Sequence, residues 1–447
     1  MKKILVLGAG RSSTVLIGYL LDHASGWNIE VTVGDQDAEH AQSKVGNHAR
    51  ATAISFDAMN ESQRRETVSQ HDIVVSMLPP HLHILVAKDC IEFKKHLVTA
   101  SYVTNEMQQL NEEVKKAGLL FMCEMGLDPG IDHMSAMKVI RNIQQQGGVI
   151  ISFKSGTGGL VAPESDDNPW HYKVTWNPRN VILAGQGTAQ YLENSVKKFV
   201  PYHRVFTTTE KFKIPEYGKF ESYPNRDSLQ YISKYGLNDV QTIIRSTLRK
   251  EGYCEAWNAL VQLGLTEDTY TVGQANQLTY AQWLSSYLPE KKKHHDRPVK
   301  DRVAKFLDRG KKGGVIARLE WLGLFSDEKI PLVNGTPAQI LQNLIEEKWI
   351  MQAHDNDLVV MRHEFEYLLS EKIEKYITTL ALKGEDAVNT AMAKTVGLPM
   401  AIMVRLLLQH ELFLTGVHIP VMSQVYEPVL RELEDLGIKF TEASNED

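Results

Sequence analysis

The first 125 residues alternate short apolar runs with segments of helical periodicity. Six of the apolar runs have the length and composition of strands buried in a parallel sheet. They are Lys2–Leu7, Ile29–Val33, Ala51–Ile54, Asp72–Leu78, His96–Ala100 and Leu119–Met122. This alternation predicts a doubly wound parallel sheet, in which the carboxyl ends of the strands face one ligand-binding crevice.

The pattern changes near residue 150. Ile150–Ser155 alternates like a half-buried antiparallel strand, and Gly156–Leu160 is expected to form a flexible loop. Residues 255–350 have helical patterns, and strand periodicity returns at Leu358–Phe365. The composition therefore predicts a second domain of mixed structure followed by helices.

The last part of the chain is again helical. A long apolar helix is expected over Asp386–Gln409, interrupted at Gly397 and Pro399. An amphipathic helix is expected over Val421–Leu436. Because helices that follow a last strand often pack on the first sheet, we expect the C-terminal part to complete the N-terminal domain.

Length and composition limit the class of protein. A chain of 447 residues predicts two or three domains, and a net charge of −6 argues against a general nucleic-acid binder. No apolar run approaches the ~20 residues of a membrane span, and no signal peptide is expected. The three cysteines lack metal-ligand spacing and fit reduced thiols in a cytoplasmic protein.

A glycine-rich turn follows the first predicted strand. Gly8 permits a tight turn, and Gly10 allows the backbone to approach a pyrophosphate bound at the next helix N-terminus. Ser13 replaces the third glycine of the usual motif, but a serine is still small enough for close helix packing. The motif is weak alone, and its place between a strand and a helix favours a dinucleotide site.

An acidic residue ends the second predicted strand. A carboxylate here hydrogen-bonds an adenosine ribose and repels a 2′-phosphate, so Asp35 favours NAD over NADP. The alternative interpretation is a solvated loop acid.

The stretch Gly126–Met134 follows the sixth strand and contains two acids and a histidine. Asp128 is expected to cap the next helix, with Pro129 at its first position. A purely structural cap is one interpretation, and chemistry at the edge of the sheet is the other.

Two later stretches, Tyr223–Ser228 and Arg245–Arg249, contain arginines that suit carboxylate ligands. Structural ion pairs are the alternative. Lys291–Arg297 is interpreted as a solvated surface rather than a metal or nucleic-acid patch. His81 and His83 are too few for a metal site, and none is predicted.

Five stretches together are similar to one enzyme family. They follow one another in the family's order over residues 99–249, which makes them more specific than the glycine turn alone. They are Thr99–Tyr102, Gly126–Met134, Gly158–Glu164, Tyr223–Ser228 and Thr247–Arg249. With them, the chain resembles saccharopine dehydrogenase of the glutamate-forming type, also called saccharopine reductase, over most of its length and least over 255–350.

The resemblance implies an α/β fold: a Rossmann-like parallel sheet domain, a mixed α/β substrate domain and a small helical domain, usually in a homodimer. We place the Rossmann-like domain at 1–130 plus about 386–447. The substrate domain is expected at 131–254 plus about 355–385, and the helical domain at 255–354.

The resemblance also implies a reaction, the reversible oxidation of saccharopine by NAD(P)+ and water to L-glutamate and 2-aminoadipate 6-semialdehyde in lysine metabolism. NAD is favoured by Asp35, and NADP is the alternative cofactor. The expected partners are saccharopine and a second copy of the chain, without nucleic acid or membrane.

Site residues follow from the same resemblance. The implied saccharopine contacts are Ser101, Tyr102, Asp128, Arg226, Thr247, Leu248 and Arg249. The implied dinucleotide contacts, with the glycine turn, are Gly8, Gly10, Arg11, Ser12, Ser13, Asp35, Met77, Leu78, Thr99, Ala100, Leu127, Asp128, Pro129, Gly130, Ile131, Asp132 and His133. Asp128 and Tyr102 are the expected catalytic residues, and His133 is another candidate for proton transfer.

Two departures from the family pattern are present. Thr157 stands where the family often has cysteine, and Lys250 replaces a common aromatic residue. One alternative function is a related carboxyspermidine-type or other secondary-amine dehydrogenase, and another is a non-catalytic dinucleotide sensor. The retained arginine stretches argue against both.

Overall fold

The computed structural model describes residues 1–289 and 297–443. Most of the lysine- and histidine-rich stretch Lys291–Arg297 therefore lies outside the described residues. The strands are β1 (Lys2–Leu7), β2 (Ile29–Asp35), β3 (Ala51–Ser55), β4 (Ile73–Ser76), β5 (His96–Thr99), β6 (Leu120–Met122), β7 (Val149–Val161), β8 (Ala189–Glu193), β9 (Val196–Val200), β10 (Glu210–Ile214), β11 (Gly218–Pro224), β12 (Thr242–Lys250), β13 (Asp357–Leu369), β14 (Lys372–Lys383), β15 (Gly416–His418) and β16 (Phe440–Ala443).

The helices alternate with these strands in the first third of the chain and cluster between β12 and β13. They are α1 (Thr14–His23), α2 (Ala38–Val45), α3 (Glu61–Ser69), α4 (His83–Phe93), α5 (Asn105–Gln109), α6 (Asn111–Lys116), α7 (Ile131–Gln145), α8 (Pro178–Ile182), α9 (Tyr202–Val205), α10 (Tyr231–Tyr235), α11 (Tyr253–Gln262), α12 (Tyr280–Ser285), α13 (Val299–Phe306), α14 (Gly314–Trp321), α15 (Pro337–Lys348), α16 (Ala391–Leu408) and α17 (Ser423–Asp435).

The chain divides into two compact units. The first unit comprises Met1–Ile150, Tyr367–Glu374 and Thr378–Asp447, and the second comprises Ile151–Glu366 and Lys375–Ile377. Helices α11 to α15 lie in the second unit and share a hydrophobic core with its strands. The division into three domains stays a prediction.

A seven-stranded parallel sheet forms the centre of the first unit, in the order β15-β6-β5-β4-β1-β2-β3. This confirms the doubly wound sheet, and all six predicted strands are present. Ile4, Leu5, Val6 and Leu7 of β1 are fully buried because helices cover both faces of the sheet. The strand order reverses between β1 and β4, which is the position where such sheets bind ligands.

The C-terminal part of the chain completes this sheet, as expected. Strand β15 pairs in parallel with β6, and α16 packs against α1. The predicted interruption of α16 is wrong, because the helix continues through Gly397 and Pro399. Gly397 allows close contact with α1, since a Cβ atom there would lie 2.8 Å from the backbone nitrogen of Leu16.

Helix α16 also has the length and apolar composition of a membrane span. It is the one such helix in the described parts of the chain, and 72% of its 18-residue window is buried inside the protein. A buried core helix has the same composition as a span, and its packing on α1 is that of a core helix.

The central sheet of the second unit contains β10, β11, β12, β7 and β13 as successive neighbours. The strand predicted at Ile150–Ser155 is present as the first part of β7, although its pairing with β12 is parallel. The flexible loop predicted for Gly156–Leu160 is wrong, because β7 runs without a break from Val149 to Val161. Its glycines serve close packing: a Cβ atom at Gly156 or Gly158 would lie 2.5 Å from atoms of Leu248 on β12.

The contact of Gly397 with α1 predicts opposite effects for two glycine-to-alanine substitutions. Both Gly397 and Gly18 lie inside helices, so alanine gains about 1 kcal/mol of helix propensity at either position. Gly397→Ala should nonetheless destabilise the protein by about 1–3 kcal/mol, because the new methyl overlaps Leu16. Gly18→Ala is the matched control and should be neutral or stabilising, since nothing lies within 4 Å of its Cβ position.

Urea denaturation of both variants, monitored by circular dichroism, measures the free energy of unfolding. Equal stability of the two variants would contradict the close contact at Gly397.

Candidate active site

The glycine turn lies at the carboxyl end of β1, at the reversal of the strand order. Gly8 has a φ of +103°, and a Cβ atom there would lie 3.0 Å from the carbonyl oxygen of Met77. Gly10 is open, with nothing within 4 Å of a Cβ position, and Ser13 donates from both its hydroxyl and its amide to the Gly10 carbonyl. The open backbone ahead of α1 fits a pyrophosphate, and the buried Ser13 fills the place of the third glycine.

Asp35 is hydrogen-bonded to this turn through its carboxylate. One carboxylate oxygen accepts a hydrogen bond from the amide of Ala9 at 2.7 Å, and the other accepts from the amide of Asp37 at 3.1 Å. The half-buried carboxylate therefore fixes the glycine turn to the end of β2. It is not the freely solvated loop acid of the alternative interpretation.

The backbone after β6 follows β5 beyond the ends of both strands. The amide of Met125 donates to the carbonyl of Thr99, and the amide of Glu124 donates to the carbonyl of Ser101, both at 3.0 Å. The loop then closes on itself, because the amide of Gly126 donates to the carbonyl of Pro129. This pairing places Thr99–Tyr102 beside the stretch that contains Asp128.

The predicted capping role of Asp128 is wrong. Helix α7 begins at Ile131 with Gly130 as its N-cap residue, and Pro129 lies outside the helix. Gly130 has a φ of +148°, and its amide donates to the carboxylate of Asp132 at 2.6 Å. The Asp128 carboxylate instead accepts a hydrogen bond from the Tyr102 hydroxyl at 3.2 Å. The two residues expected to be catalytic are therefore in contact, and both side chains are half-buried.

His133 lies beneath this loop between two carboxylates. Its Nε2 is 2.7 Å from Glu124 Oε2, and its Nδ1 is 3.5 Å from Asp132 Oδ2. The other oxygen of Glu124 accepts from the amide of Val103 at 3.1 Å. His133 is 0% exposed, so its hydrogen bonds act on the loop rather than at an open surface. Glu124 was missed by the sequence analysis, since no motif singles it out.

The thiol of Cys123, which follows β6, is a poor nucleophile because it is buried. Cys90, Cys123 and Cys254 are free and buried. Burial raises the pKa of the Cys123 thiol, which follows β6, to about 12. Among residues 1–289 and 297–443, no group of three or more His, Cys, Asp or Glu side chains is placed to hold a metal ion.

The second unit contains an arginine held among aromatic rings. The guanidinium of Arg249 lies 5.0 Å from the ring centre of Tyr172, 5.2 Å from that of Tyr253 and 5.9 Å from that of Tyr223. Arg249 is 3% exposed, and its guanidinium donates to the carbonyl of Leu248 at 2.9 Å. Burial keeps the pKa of the Tyr253 phenol well above its usual value, so that ring is neutral.

The strand register brings further polar groups to this part of the second unit. Thr247 pairs with Thr157 on β7 and with Tyr223 on β11. Because side chains alternate along β12, Thr247 and Arg249 project from the same face. The buried hydroxyl of Thr157 and the Nε of Arg249 have no hydrogen-bond partner among the described residues. Arg226, in the loop after β11, is exposed and has a φ of +50°.

The structure therefore gathers the predicted residues into two groups. The first unit brings together the glycine turn, Asp35, Met77, Leu78 and the residues 99–102 and 127–133. The second unit places Thr247, Leu248 and Arg249 on β12 and Arg226 in the loop that follows β11. Tyr172, Tyr223 and Tyr253 were missed as neighbours of Arg249, because their contacts join distant parts of the chain.

Two family models match the chain and together cover most of it. The saccharopine dehydrogenase NADP binding domain matches residues 4–122, and the saccharopine dehydrogenase C-terminal domain matches residues 126–438. A solved structure, apo histidine-tagged saccharopine dehydrogenase (L-Glu forming) from Saccharomyces cerevisiae, is 31% identical and covers 99% of this chain and 100% of its own, with a TM-score of 0.88. It confirms the fold class.

Curated relatives agree with these matches. Saccharopine dehydrogenase [NADP(+), L-glutamate-forming] from Saccharomyces cerevisiae is 33% identical over 97% of this chain and 97% of its own length. Alpha-aminoadipic semialdehyde synthase from Arabidopsis thaliana is 34% identical over 98% of this chain but only 44% of its own length. The chain thus spans about half the length of that relative and nearly all of the fungal one. On these matches and on the fold, the chain belongs to the saccharopine dehydrogenase family.

Proposed function

We propose that this chain oxidises saccharopine with a nicotinamide dinucleotide and water to L-glutamate and 2-aminoadipate 6-semialdehyde, as a reversible step of lysine metabolism. The observation that carries the proposal is the hydrogen bond between Tyr102 and Asp128 at the carboxyl edge of the parallel sheet. Parallel sheets of this kind bind ligands at that edge, and a carboxylate there suits a cationic amine.

The chemistry needs a charge partner and a proton carrier. A nicotinamide dinucleotide held at the glycine turn would supply the acceptor for the hydride that leaves the carbon beside the secondary amine of saccharopine. The Asp128 carboxylate would stabilise the positive charge of the resulting iminium. Asp128 would next accept a proton from the water that adds to the carbon and return it to the departing glutamate nitrogen. Tyr102, which donates to Asp128, orients that carboxylate and is the second candidate for proton transfer.

His133 has a different part in this proposal. Its ring is fully buried between Glu124 and Asp132, and Asp132 in turn accepts from the amide of Gly130. These contacts hold both ends of the loop that contains Asp128. We therefore assign His133 and Asp132 to positioning this loop, where its backbone is available to the dinucleotide.

Saccharopine has three carboxylates, and arginines are their natural partners. A buried guanidinium without an anion is costly, and the Nε of the buried Arg249 has no hydrogen-bond partner among the described residues. Arg226 and Arg249, with Ser101 and Thr247, are the proposed carboxylate ligands. A secondary-amine dehydrogenase for less anionic substrates needs fewer such groups, so the arginines favour saccharopine over the carboxyspermidine-type alternative.

The cofactor is a separate part of the proposal. The fungal relative is named for NADP(+), and the matching domain model is named for NADP binding. Asp35, however, places a carboxylate at the end of β2, where it would repel a 2′-phosphate. We propose that this chain prefers NAD+. A cytoplasmic homodimer is also proposed, and the three free cysteines are consistent with a reducing compartment.

A spectrophotometric assay at a wavelength of about 340 nm tests the reaction. The purified chain should form NADH when saccharopine and NAD+ are supplied, and it should form NADPH more slowly from NADP+. The absence of reduced cofactor with both dinucleotides would refute the function and favour the dinucleotide sensor.

Substitution of Asp128 tests its proposed part in proton transfer. Asp128→Ala should lower kcat by at least about tenfold with folding intact, because both the charge partner and the proton carrier are lost. Asp128→Asn keeps the acceptor for Tyr102 but removes the charge, and its kcat should fall to a similar extent. Steady-state kinetics with a thermal melt as the folding control measure this, and near-normal turnover of Asp128→Ala would contradict the assignment.

Substitution of Asp35 tests the cofactor preference. Asp35→Asn keeps an oxygen that can accept from the amide of Ala9 but removes the charge. The ratio of kcat/KM for NADP+ to that for NAD+ should rise by about tenfold, because the repulsion of the 2′-phosphate is lost. Asp37→Asn is the matched control, since an asparagine still caps α2, and it should leave the ratio within about twofold. A wild-type preference for NADP+ would contradict this interpretation of Asp35.

A further inference from the structure

A buried histidine connects two strand ends in the first unit. His83 is the first residue of α4, Ser76 is the last residue of β4, and Ser101 lies just beyond β5. The Ser76 hydroxyl oxygen is 2.8 Å from His83 Nδ1, and the Ser101 hydroxyl oxygen is 2.7 Å from His83 Nε2. Both ring nitrogens therefore take part in hydrogen bonds with serine hydroxyls.

The imidazole is neutral near pH 7. Burial, and to a lesser degree the charge of His81, lowers the pKa of His83 to about 4. A neutral imidazole has one N–H donor and one acceptor nitrogen. The ring consequently gives the two serine hydroxyls opposite roles: one donates to the ring and the other accepts from it.

Ser101 is restrained on its backbone as well. Its amide donates to the Thr99 hydroxyl at 3.2 Å, and its carbonyl accepts from the amide of Glu124 at 3.0 Å. The residue is half-buried, in contrast to Ser76 and His83, which are 0% and 4% exposed. Of the three linked side chains, that of Ser101 has the most surface available to a ligand.

We propose that His83 is a positioning residue that donates from Nε2–H to the Ser101 hydroxyl oxygen and thereby aims the Ser101 O–H at a substrate carboxylate. Ser76 donates to Nδ1 and fixes this tautomer. The inference rests on the proposed function, because it takes Ser101 as a ligand of saccharopine. It extends the site to two residues, His83 and Ser76, that would not touch the substrate.

The proposal predicts that removing His83 weakens substrate binding because Ser101 is no longer correctly oriented. His83→Ala should raise the KM for saccharopine by about tenfold, the effect of one misdirected charge-assisted hydrogen bond. The value of kcat should change less, and the Kd of the dinucleotide, measured by fluorescence titration, should stay within about twofold. His83→Gln should recover most of the loss, because its amide group can donate from nearly the same place as Nε2–H.

A double-mutant cycle separates positioning from a general loss of packing. Ser101→Ala alone should raise the KM as much as His83→Ala, and the double variant should be no worse than Ser101→Ala. Additive losses, or an unchanged KM in His83→Ala, would overturn the proposal. His81→Ala, two residues away on the exposed side of the same turn, is the matched control and should behave as the wild type.

A readout independent of activity uses the wild-type chain. Nitrogen-15 spectra of histidine-labelled protein give the tautomer of each neutral ring, and the signal lost in His83→Gln identifies His83. The Nε2–H form is expected, and the Nδ1–H form would overturn the proposal. A wild-type chain with the Nε2–H form but no turnover of saccharopine would instead place the failure in the proposed function.

Discussion

The parallel pairing of β5 with β6 is the constraint on which the candidate site depends. Past the last paired residues of both strands, the amides of Met125 and Glu124 donate to the carbonyls of Thr99 and Ser101, outside the parallel register. Those bonds bring the segment with Ser101 and Tyr102 alongside the loop with Asp128. The hydrogen bonds from Tyr102 to Asp128 and from the Val103 amide to Glu124 join these two segments and require this alignment.

The sequence predicts the sheet of the first unit well, because strands buried on both faces are continuous apolar runs. It predicts the local conformation of the loop less well. Asp128 and Pro129 form a standard helix start in isolation, yet the helix begins at Ile131, since the Gly130 amide is bound by Asp132 and the loop closes through Gly126. Gly130 adopts a φ of +148° at little cost because it is a glycine, and it takes the N-cap position of α7 in place of Asp128.

Other errors arise where a residue's role is set by a distant neighbour. The glycines of β7 resemble a loop until Leu248 of β12 is seen to pack against them. His83 was considered only as a metal ligand, because its partners Ser76 and Ser101 lie on two other segments of the chain. The aromatic rings around Arg249 are likewise drawn from β11, from α11 and from Tyr172 between strands. Periodicity and motifs describe neighbours along the chain, and these contacts are set by the fold.

Strand β15, which comes last in the chain among the strands of the parallel sheet, affects how the protein folds during synthesis. Strand β15 pairs with β6, and the amide of Cys123 donates to the carbonyl of His418. During synthesis the whole second unit leaves the ribosome between these two strands, so the outer edge of β6 has no native partner until residues 416–418 emerge. The second unit can bury its core while the first unit still waits for its edge strand. The amide of Cys123, just before the loop that contains Asp128, therefore gains its native hydrogen bond only after the second unit has been made.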